Sequence, residues 1–226
     1  ERMFAEVLKP VGYTSGIVGK WHLGAHETLR PLERSFDFFY GHLGGGHRYL
    51  PEDLTVPGHG KNELESYQTR IMRNHEMVET QKYLTDEFSD AAVEFVEASK
   101  DQPFFLFLSY NAPHLPLQAT EKYLSRFPNL EGKRKIYAAM VSAVDDGVGL
   151  VLDKLDELKL TEDTIVIFLS DNGGPEPKNA SDNGALRGTK GDSWEGGFRV
   201  PYAVQWKGVL PAGAEYHNPV SSLDVL

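Results

Sequence analysis

The chain has 226 residues, 40% hydrophobic and 25% charged, which is enough for one domain with a sizeable core and too few for two large ones. A formal net charge of -10 argues against a nucleic-acid surface, which needs clustered Lys and Arg, yet leaves room for an anionic substrate in a locally positive site. The absence of cysteine excludes disulfides and thiolate metal sites, and no apolar run reaches the length of a bilayer span.

The first residues place Met3, Phe4, Val7 and Leu8 on one helical face, ended by Pro10 and Gly12. A chain that starts inside a helix is expected to have lost what came before. SGIVGK then reads as a short buried strand. It runs into a Gly- and aromatic-rich stretch without period from Trp21 to about Pro57, in which Gly41 to His47 offers glycines where backbone turns tightly or approaches a ligand. Thr85 fits a helix N-cap with Asp86 and Glu87 in the first turn, and Leu84, Phe88, Ala92, Phe95 and Val96 form the apolar face. Pro103 to Tyr110 is a continuous apolar run, the kind that suits a strand covered on both faces. A second long helix is marked by Ile136, Met140, Val144, Val148, Val151, Leu152 and Leu155. Thr164 onward gives another apolar strand, and Arg199 to Trp206 one more. Helices alternating with strands predict an α/β fold with a mostly parallel sheet flanked by helices.

Ligands of such sheets bind beyond the carboxyl ends of the strands, so the residues that follow each strand matter most. They are Lys20 and His22, then Asn111 and His114, then Asp171 and Asn172. In an extended segment Lys20 and His22 point the same way, a cation beside an imidazole that suits an anionic substrate or nucleophile. His114 lies between prolines that hold its ring direction, although a loop histidine packed on an aromatic would look the same. Asp171 and Asn172 are hard oxygen donors suited to Ca²⁺ or Mg²⁺, but before Gly173 and Gly174 they also read as a simple turn, and a calcium site needs about six to eight oxygens. In Ala185 to Pro201 several glycines surround Lys190 and Glu195, which suggests a pinned loop with Lys190 offered to an anion and Glu195 holding it.

Taken together, GYTSGIVGKWHLG, APHLP, FLSDNGG and LRGTKGDSWEGGFRVP resemble, in order, the conserved blocks of the formylglycine-dependent sulfatases. The resemblance implies an alkaline-phosphatase-like α/β core and hydrolysis of sulfate esters, with Ca²⁺ as the metal. By it, Lys20 contacts the formylglycine and the sulfate, His22 takes the proton of the sulfated hydrate, and His114 protonates the leaving alcohol. Lys190 holds a sulfate oxygen, and Asp171 and Asn172 bind Ca²⁺. No Cys/Ser-x-Pro-x-Arg motif and no paired first-strand aspartates occur, so residues 1–226 are expected to be part of a sulfatase catalytic domain with its first strand missing and little activity alone. The expected partner is a sulfated small molecule or glycan, with no nucleic acid, and the expected location is periplasmic or secreted. A phosphoester or phosphonate hydrolase of the same superfamily and a non-catalytic glycan-binding domain are the rival readings.

Overall fold

In the computed structural model, residues 2–54, 67–176 and 178–225 are described. The chain begins with helix α1 (Phe4–Leu8), which passes through a short 3-10 turn to Gly12, where a positive φ of 89° ends it. Strand β1 (Thr14–Lys20) follows, then β2 (Phe38–His42), the two-residue strands β3 (Met72–Arg73) and β4 (Glu76–Met77), helix α2 (Leu84–Ser99) and strand β5 (Phe104–Ser109). After these come the short helix α3 (Glu121–Leu124), the long helix α4 (Gly132–Glu157), strand β6 (Val166–Leu169), the one-turn helix α5 (Glu195–Phe198) and strand β7 (Tyr202–Gln205).

The main sheet has five strands in the order β4-β3-β2-β1-β5. β1 is parallel to both β2 and β5, while β3 and β4 add an antiparallel hairpin beside β2. This is the expected α/β arrangement, a mostly parallel sheet flanked by helices. Strand side chains alternate between faces, so the buried pairs Ile17 and Val18, and Phe39 and Tyr40, feed two cores. Val18 and Tyr40 join Leu84, Phe88, Ala139 and Met140 under α2 and α4, whereas Ile17 and Phe39 join Ala5, Trp21 and Phe36 on the opposite face. Full burial of each such side chain is worth about 1.5–3 kcal/mol, against roughly 0–1 kcal/mol for exposed ion pairs such as Arg126–Asp146. The apolar faces therefore hold the fold.

Four expectations need correction. β6 does not extend the parallel sheet: it pairs antiparallel with β7 in a separate two-stranded ribbon, and Ile165, Phe168 and Leu169 are exposed. β5 is not covered on both faces: Leu106 and Leu108 pack against the core under α2 and α4, while Phe107 on the other face is 47% exposed. Thr85 is not a cap. The helix begins two residues earlier, with Tyr83 at the N-cap position and the Leu84 amide donating to the Tyr49 carbonyl (2.9 Å), while Asp86 and Glu87 do lie in the first turn. On α4 the expected Met140 and Leu155 are buried, but the rest of the buried strip is Ala139, Ala143 and Gly147 in place of Val144 and Val148. A side chain at Gly147 would collide with Ser89 and the Tyr110 hydroxyl, so small residues set how closely α4 approaches α2.

The Trp21–Pro57 stretch, expected to be without regular structure, contains β2 in its middle; its part beyond residue 54 lies outside the described residues, as do residues 177 and 226. Among the described residues no helix is long and apolar enough to cross a membrane.

Candidate active site

Lys20 is the last residue of β1, in register with His42 of β2. The two strand ends come together closely: Gly19 has a positive φ of 110°, and a side chain on Gly41 would run into the Gly19 backbone. Beyond Lys20 the chain does not stay extended. His22 has a φ of 56°, so the expectation that alternation alone aims Lys20 and His22 the same way is wrong. The turn is held by the Trp21 amide donating to the His42 carbonyl (3.0 Å) and the His22 amide donating to the Leu43 carbonyl (3.1 Å).

His114 sits in the loop after β5. Its amide donates to the Asn111 carbonyl (2.9 Å), and the buried Tyr49 hydroxyl bonds the carbonyls of Asn111 (2.9 Å) and His114 (2.8 Å). The ring is fixed at both nitrogens, Nδ1 by the Leu115 carbonyl at 2.8 Å and Nε2 by the Tyr67 hydroxyl at 3.1 Å. A carbonyl can only accept, so Nδ1 carries the proton and Nε2 of the neutral ring accepts from Tyr67. The alternative picture of a loop histidine packed on an aromatic is thus partly realised, with Tyr67 as the aromatic.

Asp171 and Asn172 follow β6, and the Lys190 loop is tied to the same turn. The Lys190 amide bonds the Gly174 carbonyl (3.3 Å), the Thr189 hydroxyl donates to that carbonyl (2.7 Å), and the Gly173 amide bonds the Gly197 carbonyl (2.9 Å). A side chain on Gly173 would overlap the Gly196 backbone, so the glycines of the loop are pinned as expected, but to one another and to this turn. Glu195 does not hold Lys190; its carboxylate pairs with Arg199 one helical turn on, at 3.1 Å.

Lys20, His22, His114, Asp171 and Lys190 lie near enough for their charges to act on one another. Burial lowers the Lys20 pKa; the Asp171 carboxylate opposes this and Lys190 adds to it. His22 is lowered by burial, then by Lys20, His114 and Lys190. His114 is lowered by burial, with the Leu115 carbonyl acting upward, Lys190 and Lys20 downward and Asp171 upward. Two lysines and two imidazoles influencing one another beside one carboxylate make a locally positive patch in an acidic protein, of a kind suited to an anion.

Among the described residues no group of three or more His, Asp or Glu is arranged to hold a metal. Asp171 and Asn172 fit part of a calcium site. The Asp171 carboxylate makes no hydrogen bond or ion pair among the described residues, and the Asn172 amide nitrogen donates to the Gly173 carbonyl (3.0 Å), which leaves its amide oxygen to accept.

Sequence reasoning missed three features around the site. Tyr49 and Tyr67 carry no motif; for the buried Tyr49 the only hint is that its hydroxyl needs an acceptor. The third is the His42–His47 pair, with ring centroids 5.2 Å apart beside the strand ends. His42 is completely buried and also stacks on Phe88. Burial above all, then His47 and Lys20, hold it well below the usual imidazole pKa, so it is neutral in the folded protein. An unfolded chain takes up a proton at this residue below about pH 6.5, where the folded chain does not. The stability it contributes is complete above that pH and is lost as pH falls further. Thermal melts of the whole protein between pH 7 and 5 should therefore show a falling Tm, with a shallower fall in His42→Gln; equal slopes would contradict this.

The layered α/β core thus carries a lysine and imidazoles at the end of β1 and in the segments that follow β1 and β5. The sulfatase family model matches residues 1–226, and the chain belongs to the sulfatase family. It is 31% identical to an arylsulfatase of Hemicentrotus pulcherrimus over 237 residues, covering 100% of this chain and 41% of that protein. It is 32% identical to N-acetylgalactosamine-6-sulfatase of Rattus norvegicus over 236 residues, covering 100% of this chain and 43% of that one. Among solved structures, Ps i-CgsB in complex with k-i-k-neocarrahexaose superposes with a TM-score of 0.90 at 40% identity, covering 97% of this chain and 50% of that chain. The PsFucS1 sulfatase from Pseudoalteromonas sp. follows with a TM-score of 0.75 at 29% identity, covering 94% and 46%. The chain thus spans less than half the length of these curated relatives.

Proposed function

We propose that the whole protein carrying this chain is a calcium-dependent carbohydrate sulfatase that removes sulfate from a sulfated glycan through a formylglycine placed outside these residues. The observation that supports it is that Lys20, His22, His114, Lys190 and Asp171, from four separate segments that match the family's blocks, lie near enough to act on one another's charges. Lys20 and Lys190 bind the sulfate oxygens as compact point charges. His22, lowered by burial and the neighbouring lysines, is neutral near pH 7 and free to accept a proton. His114, when its ring takes up a second proton at Nε2, delivers that proton to the leaving oxygen and returns to the neutral Nδ1–H form. Asp171 and the Asn172 amide oxygen hold Ca²⁺, with the remaining oxygens from water and other parts of the protein; bound there, the ion supplies charge stabilisation of the reacting sulfate and nucleophile.

A carbohydrate substrate is favoured by the neighbour of 40% identity, whose ligand is k-i-k-neocarrahexaose, and oligosaccharides of that kind are the first to try. The test is hydrolysis of 4-nitrophenyl sulfate and 4-nitrophenyl phosphate by the whole protein with added Ca²⁺. Turnover of the sulfate far above the phosphate is expected. The reverse preference would replace this reading with phosphoester chemistry.

A further inference from the structure

We propose that Tyr67 is a positioning residue for His114: its hydroxyl holds Nε2 of the imidazole in the place that the leaving oxygen of the substrate takes over, an inference that rests on the proposed sulfatase reaction.

Three observations carry this. First, the Tyr67 hydroxyl lies 3.1 Å from His114 Nε2, the nitrogen left free to accept because Nδ1–H is committed to the Leu115 carbonyl at 2.8 Å. Nε2 has a single in-plane lone pair. In the protonated ring the Nε2–H points along the same direction, so a leaving oxygen that receives this proton must share the N–H with the tyrosine hydroxyl, and the tyrosine marks where that oxygen sits. Second, the ring is built into the site. Its edge meets His22 at 90° with centroids 6.2 Å apart, and it tilts over His114 at the same separation. Its carbonyl accepts from the Gly46 amide at 3.1 Å. Third, the glycine run of the sequence is explained by this ring. A side chain on Gly45 would strike both Tyr67 and the His22 ring, and one on Gly46 would strike Tyr67 again. Gly45 and Gly46 form a floor on which Tyr67 lies between the two histidines. With 55% of its surface exposed, Tyr67 can shift its hydroxyl to admit a substrate oxygen without unpacking a core.

Tyr67→Phe keeps the ring on its glycine floor and removes only the hydroxyl. In the whole protein labelled with [15N]histidine, the His114 Nε2 resonance should move toward the position of an unbonded imidazole nitrogen, while the melting temperature stays within a few degrees of wild type. For sugar sulfates, whose leaving alcohol needs the proton, kcat should fall about 10- to 100-fold, the loss that a misplaced catalytic group brings. The loss on 4-nitrophenyl sulfate should be about tenfold smaller, because nitrophenolate leaves with little help. An unmoved nitrogen resonance, or equal kcat losses on both substrates, would overturn the proposal. Wild-type protein that hydrolyses neither sulfate ester would overturn the proposed function instead, and the nitrogen resonance would still decide whether the tyrosine bond exists.

Discussion

Asp171→Ala in the whole protein should abolish sulfate-ester turnover and calcium content together. Asp171 lies on the turn after β6, exposed and without a hydrogen bond among the described residues, so its removal leaves no buried partner unpaired and should not unfold the chain. What it removes is electrostatic. The carboxylate is a hard oxygen donor next to the Asn172 amide oxygen, and it is the one negative charge acting on Lys20 against burial and Lys190. A bound metal contributes several kcal/mol to charge stabilisation in such reactions, so the loss should be about 10³-fold or more. Metal analysis should fall from about one calcium per chain to near zero. Full turnover in a calcium-free Asp171→Ala protein would remove this turn from the mechanism.

The second large effect is expected at His114. His114→Ala should lower kcat on sugar sulfates by about 10²- to 10⁴-fold, the range for loss of a general acid, and much less on 4-nitrophenyl sulfate. Burial foremost, reinforced by Lys190 and Lys20, lowers the His114 pKa below the usual imidazole value of 6.5. The acid form is populated only below that pKa. The alkaline limb of kcat/KM for sugar sulfates should therefore fall below pH 6.5 and should flatten with the nitrophenyl ester, which needs no acid. Equal losses on poor and good leaving groups would make His114 a sulfate ligand alone.

How much of this was legible in the sequence follows from the kind of signal each element carries. β1, β5, α1, α2 and α4 were readable because apolar runs and 3.6-residue periodicity survive without context. β2 was not: Gly41 and His42 interrupt Phe38 to Tyr40, and nothing local says that glycine is there to let Gly19 come close. The pairing of β6 was misread because an apolar run gives no direction or neighbour, and only the structure places it against β7. At the site, Lys20, His114, Asp171 and Lys190 are spread over 170 positions, and no spacing rule links them; the ordered family blocks did. The local argument for His22 failed at its positive φ, which alternation cannot foresee. Tyr67 carried no pattern at all, and the glycines at Gly45 and Gly46 were its only trace.

The central claim is that Lys20, Lys190 and His114 form one sulfate-binding recess beside an Asp171–Asn172 calcium site. A crystal structure of the whole protein grown with Ca²⁺ and inorganic sulfate tests it most directly. Sulfate should lie within hydrogen-bond distance of Lys20 Nζ, Lys190 Nζ and His114 Nε2, with calcium on the Asp171 carboxylate and the Asn172 amide oxygen. Sulfate bound elsewhere while this recess holds only water, or calcium held without Asp171, would contradict the account.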